Sequence, residues 1–189
     1  GDVNNLIDAE IGVNQELCSV GTFEPNSGSA SCTSAAQGYF VSTSGATSQI
    51  PCSPGTYQGL TGQSGCLTTT LGYYTSAFGS FIQTPASLGY YVNTVGATSQ
   101  QSCLAGTYQN QTAQTTCIDT DSGYYTSVPG SPNQIACTNG SYQPNTGQTS
   151  CILASPGNFV SSPASTYQSP CTPGNYQPYS GQSYCIQAS

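Results

Sequence analysis

From Cys18 onward a Gly-x-aromatic triplet returns every 17 residues, ten times, without one insertion or deletion. The glycines are Gly21, Gly38, Gly55, Gly72, Gly89, Gly106, Gly123, Gly140, Gly157 and Gly174. Two residues after each comes Phe23, Phe40, Tyr57, Tyr74, Tyr91, Tyr108, Tyr125, Tyr142, Phe159 or Tyr176. A chain written this way buries its faces by stacking like units on one another, so the repeat sets the architecture in place of a single closed core. The chain reads as two regions: an irregular segment, residues 1–17, that caps the array or docks on another subunit, and a repeat array, residues 18–189.

Numbering the places of a unit from Cys18, the units fall into two kinds. One carries cysteine at places 1 and 15: Cys18/Cys32, Cys52/Cys66, Cys103/Cys117, Cys137/Cys151 and Cys171/Cys185. The other has Ala35, Thr69, Ala86, Thr120 or Ala154 at place 1 and Gln49, Gln83, Gln100, Gln134 or Gln168 at place 15. The kinds alternate except that units 69–85 and 86–102 are both of the glutamine kind. Spacing within every cysteine unit is 14, whereas the distance to the next unit's cysteine varies, so the constant partner is the bonded one. The predicted disulfides are therefore Cys18–Cys32, Cys52–Cys66, Cys103–Cys117, Cys137–Cys151 and Cys171–Cys185, each worth roughly 3 kcal/mol through loop closure.

Place 11 is glycine in most units, with Ala113 and Ala164 as exceptions, which predicts a turn with positive φ. Strand-like pieces such as GTYQ and GQTSC flank it, and Pro, Gly, Ser and Thr break every helical window. The predicted fold is all-β: an elongated, disulfide-stapled rod of ten hairpin-like half-repeats, with a β-solenoid of one unit per coil as the alternative. The ten aromatics form a structural spine in this reading, each burial worth roughly 1.5–3 kcal/mol.

The chain has no Lys, Arg, His, Met or Trp, and its net charge is −7. Histidine bases, lysine nucleophiles and arginine clamps are thus absent, and no cation is present to neutralise a phosphate backbone. We expect no enzyme, no cofactor and no nucleic-acid partner. Ten cysteines in so polar a chain point to an oxidising compartment, and no short Cys-x-x-Cys spacing suggests zinc. No apolar run approaches the ~20 residues a membrane-spanning helix requires. A start at Gly1 and the lack of basic residues fit a processed, protease-resistant extracellular protein.

Residues 1–17 hold Asp2, Asp8, Glu10 and Glu16, four of the seven acids, and their aliphatic pattern suits a strand or one helical turn. Two sequons, Asn110-Gln111-Thr112 and Asn139-Gly140-Ser141, are candidate N-glycosylation sites. Clusters such as Thr68–Thr70 and Ser161-Ser162-Pro163 suit O-glycans. Asp119 and Asp121 in CIDTDSG read as a solvated turn, since a calcium loop needs more carboxylates.

The segments CSPGTYQGLTGQSGC (52–66), CTNGSYQPNTGQTSC (137–151) and CTPGNYQPYSGQSYC (171–185) resemble the ephrin-receptor-like, or TNF-receptor-like, cysteine-rich repeat. The resemblance implies an extended extracellular module. It departs from the family pattern in the alternate units, which lack both cysteines. The expected function is structural: a glycosylated extracellular rod that polymerises with itself, end to end or laterally, into a surface filament, sheath or appendage. A receptor or adhesin stalk is the alternative. An ice-binding surface is less favoured because mixed residues at places 10 and 13 interrupt any threonine ladder.

Overall fold

The computed structural model describes residues 17–26 and 31–189, and the expectations placed on residues 1–16 lie outside that range. The described residues contain no helix; they form ten two-stranded antiparallel hairpins, one per unit. The chain divides into two compact units: Gly1–Thr69, Thr75–Thr84 and Gly96–Thr98 in one, Thr70–Tyr74, Pro85–Val95 and Ser99–Ser189 in the other. The contacts given below lie within one or the other.

Each hairpin begins with a tight turn over places 2–5. In the unit starting at Cys52, the Thr56 N–H donates to the Ser53 carbonyl at 2.9 Å and the Thr56 hydroxyl donates to the same oxygen at 2.7 Å. Gly55, third in that turn, has φ 83°, the left-handed value that a type II turn demands there. Thr56 and Tyr57 then pair with Thr68 and Leu67. The second strand thus occupies places 16 and 17, just beyond the cystine, and not the GQTSC piece that the sequence suggested. The physical reason is that places 11 and 12 are already committed to the preceding unit. The Gly147 N–H donates to the Thr120 carbonyl at 2.8 Å, and the Gln148 N–H donates to the Thr120 hydroxyl at 2.9 Å.

Three backbone bonds recur wherever one unit meets the next. The place-4 N–H donates to the place-7 carbonyl of the following unit, as from Gly140 to Val160 at 2.8 Å. The place-7 N–H donates to the following place-12 carbonyl, as from Gln143 to Ser165 at 3.0 Å, and the following place-11 N–H donates to the place-1 carbonyl, as from Ala164 to Cys137 at 2.8 Å. Contacts also reach one unit further. A Cβ added to Gly21 would clash with the Gly62 carbonyl, and one on Gly140 with the Gly181 carbonyl. Units n and n+2 are of the same kind wherever the alternation holds, so like packs on like.

The positive-φ turn at place 11 is present whether or not glycine fills it: Ala113 has φ 58° and Ala164 φ 54°. Their alanines carry the strain of that conformation, an order of 1–2 kcal/mol each.

What is closed to solvent is small and half polar. Place 1 is buried as Ala35, Cys52, Thr69, Ala86, Cys103, Thr120, Cys137 and Ala154, and place 7 as Val41, Gln58, Thr75, Val92, Gln109, Thr126, Gln143, Val160 and Gln177. Each buried polar side chain at place 7 is bonded. Gln109 Nε2 donates to the Thr116 carbonyl at 2.8 Å, and its Oε1 accepts from the Gln111 N–H at 3.0 Å. Thr126 Oγ1 accepts from the Gly106 N–H at 2.9 Å. At place 1, by contrast, the buried Oγ1 of Thr69 has no partner. Replacing that hydroxyl with a methyl of equal size removes a buried orphan group, worth ~1 kcal/mol or more. Thr69→Val is therefore expected to raise the denaturation midpoint, whereas Thr120→Val, which breaks the bond to Gln148, is expected to lower it.

Candidate functional site

All five cystines pair across a separation of 14 residues, with Cα–Cα distances of 5.6 to 5.8 Å: Cys18–Cys32, Cys52–Cys66, Cys103–Cys117, Cys137–Cys151 and Cys171–Cys185. The half at place 1 is buried in four of the five, as with Cys103 and Cys137, while the half at place 15 is more open.

In the other kind of unit the glutamine at place 15 closes the same two points without a covalent bond. Gln49 Oε1 accepts from the Ala36 N–H, Gln100 Oε1 from the Ser87 N–H, Gln134 Oε1 from the Asp121 N–H and Gln168 Oε1 from the Ser155 N–H, each at 2.7 Å. The side chain spans from place 15 to the N–H at place 2, next to the residue where a cystine would be anchored. A glutamine is long enough to make this reach and carries an acceptor oxygen, which explains why no other residue fills the position. The recurring glutamine was visible in the sequence, but its purpose required the turn at places 2–5 to be seen.

The ten triplet aromatics are half-buried, from Phe23 to Phe159, except for Tyr176, which is exposed. They lie outside the closed core of places 1 and 7. Six of them face an aliphatic across the hairpin: Phe40 with Ile50, Tyr57 with Leu67, Tyr108 with Ile118, Tyr125 with Ile135, Tyr142 with Ile152 and Tyr176 with Ile186. Cross-strand aromatic–aliphatic pairs of this kind contribute roughly 0.2–1 kcal/mol each.

Of the candidate glycan sites, Asn110 and Asn139 are both exposed, as is Thr112. Ser141, by contrast, is buried and its hydroxyl donates to the Thr138 carbonyl at 2.8 Å. The Asn139 sequon is thus presented to an enzyme only before its hairpin closes. Asp121 accepts from Gln134 Nε2 at 2.6 Å, which ties it to the glutamine staple. No group of three or more candidate metal-binding residues is found among the described residues, and these contain no helix long and apolar enough to cross a membrane.

A surface groove of about 380 Å³ lies in the second compact unit, bounded by Tyr91, Asn93, Ser102, Leu104, Thr107 and the Cys117 end of a cystine. None of the residues that line it is charged. No protein-family model and no curated protein matches the sequence.

Proposed function

We propose that this chain is an extracellular structural protein, a glycosylated repeat array that assembles with copies of itself into a surface filament, sheath or appendage. The observation that carries this reading is the unit-to-unit interface. The same three backbone bonds join successive units, from Gly38 and Gln58 near one end to Gly157 and Gln177 near the other. Such an interface is heterologous: one face of a unit meets a different face of the next, so it extends by addition and does not close on itself as a two-fold contact would. Five cystines support an oxidising, secreted setting. The resemblance to receptor-type cysteine-rich repeats agrees with that setting. Exposed Asn110 and the Ser/Thr-rich surface supply attachment points for glycans, which would hydrate a surface poor in charge.

Electron microscopy of the purified protein tests the assembly, and intact mass before and after deglycosylation tests the coat. We expect regular filaments with a subunit repeat and a mass above the 19.4 kDa of the bare chain. Uniform monomers at every concentration would remove the assembly reading, and an unmodified mass would remove the glycans.

The receptor or adhesin stalk is the second reading, favoured by the groove beside Tyr91 and Leu104. A neutral saccharide stacking on Tyr91 would quench its fluorescence saturably. A Tyr91→Ser variant that bound saccharide equally well would discard the groove.

A further inference from the structure

Place 4 is glycine in every unit, so an asparagine at place 3 creates an Asn-Gly step. Nine units put another residue at place 3, such as Pro54, Leu88 or Pro173. Asn139-Gly140 is the one Asn-Gly in the chain. Glycine has no Cβ to shield its nitrogen, and that nitrogen can attack the preceding asparagine side chain to close a five-membered ring.

The fold occupies this nucleophile. The Asn139 side chain is exposed, so water reaches its amide, whereas Gly140 is buried. The Gly140 N–H donates to the Val160 carbonyl, in the unit starting at Ala154, at 2.8 Å. The turn around it is closed by the Ser141 N–H, which donates to the Thr138 carbonyl at 3.0 Å, and by the Ser141 hydroxyl, which donates to the same oxygen at 2.8 Å. The Gly181 carbonyl stands so close that a Cβ added to Gly140 would strike it. Turning the peptide so that its nitrogen faces Asn139 Cγ must break the Val160 bond, in a place with no room to spare. Ring closure therefore waits for the unit starting at Ala154 to part from the one before it, with loss of the bonds from Gln143 to Ser165 at 3.0 Å and from Ala164 to Cys137 at 2.8 Å.

We propose that Asn139, where it carries no glycan, is a self-deamidating site gated by this joint between units. The Gly140 nitrogen bonds to Asn139 Cγ, and the side-chain nitrogen leaves as ammonia with the proton from Gly140. Water then opens the ring: addition at Cγ leaves aspartate, and addition at the main-chain carbonyl leaves isoaspartate. Nothing is oxidised or reduced. Isoaspartate carries the main chain through Cβ and lengthens it by one atom, so the tight turn and the contacts of Gly140 with Val160 and Gly181 no longer fit together. A reversible opening of the joint thereby becomes permanent.

The test follows the full chain, oxidised and produced without N-glycans, by peptide mass at mildly alkaline pH, beside a reduced sample in denaturant. Deamidation at Asn139 should be at least about 100-fold slower in the native chain, the factor given by an opening that costs ~2.7 kcal/mol. Because the reaction samples the open population, that factor should match the hydrogen-exchange protection of the Gly140 amide within about threefold. Cys137→Ala/Cys151→Ala should speed native deamidation by about 10-fold or more, while Cys52→Ala/Cys66→Ala, in the other compact unit, should leave it within about twofold. Equal rates in native and denatured chains, or no reaction in either, would overturn the site. Equal acceleration by the two cystine removals would overturn gating at this joint. Should the first variant fail to fold by circular dichroism, the wild-type comparison decides, and a mismatch with Gly140 exchange beyond that threefold sinks the gate.

Discussion

Gly140→Ala is expected to cost far more stability than Gly174→Ala, although the two glycines occupy the same place in their units and share φ 85°. Alanine at that φ carries a strain on the order of 1–2 kcal/mol in either position. At Gly174 nothing lies within 4 Å of the new atom, so the strain is the whole effect. At Gly140 the methyl meets the Gly181 carbonyl and carbon, both of them backbone. A backbone group held by its own bond, here the Gly181 N–H to the Ala154 carbonyl at 2.8 Å, cannot swing aside as a flexible side chain would. Relief requires the unit starting at Cys171 to separate from those before it, and we expect a total cost of roughly 4 kcal/mol or more. Chemical denaturation of the two variants under dilute, oxidising conditions measures the difference. Equal midpoints would show that the n to n+2 contact does not hold the array together.

The second large effect concerns the cystines. Each closes a loop worth roughly 3 kcal/mol, and five together reach the ~5–15 kcal/mol that stabilises a typical domain. Full reduction is therefore expected to unfold the chain, read by the loss of its near-ultraviolet tyrosine signal. The glutamine units show how one cystine can be given up at reduced cost. Ala35, Ala86 and Ala154 fill the buried place 1 as completely as Cys137 does, and a glutamine at place 15 caps the N–H at place 2. Cys137→Ala/Cys151→Gln should then lose the loop-closure contribution but recover a hydrogen bond to the Thr138 N–H. Cys137→Ala/Cys151→Ala should fall lower by about 1 kcal/mol, the net value of such a bond. A double variant with glutamine no more stable than the one with alanine would refute the staple.

Much of this arrangement was legible in the primary structure because the repeat is free of insertions. A fixed 17-residue period makes Gly55 equivalent to Gly140, and a fixed separation of 14 singles out each cysteine's partner. The absence of helix follows from turn residues in every window. The place-11 turn was also readable, and Ala113 and Ala164 keep it despite their Cβ atoms. The site was less legible. The aromatics dominate the sequence pattern, yet burial falls on places 1 and 7, where small residues and glutamines stand. A polar residue such as Gln58 resembles surface until its two hydrogen-bond partners, the Gly65 carbonyl and the Leu60 N–H, are in view.

The division between the two levels has a physical reason. Local conformation, covalent pairing and the period depend on near neighbours in the chain, and so the sequence alone determined the turns, the cystines and the number of units. Which strand pairs with which, why place 4 has no room for a methyl group, and why glutamine replaces cystine depend on groups 13, 20 or 41 residues apart, as in Gln49 with Ala36, Gly140 with Val160 and Gly140 with Gly181. The first distance is closed when a unit folds back on itself, and the other two only by stacking of units. Tertiary structure decided them, and with them the difference between a covered glycine at Gly140 and an open one at Gly174.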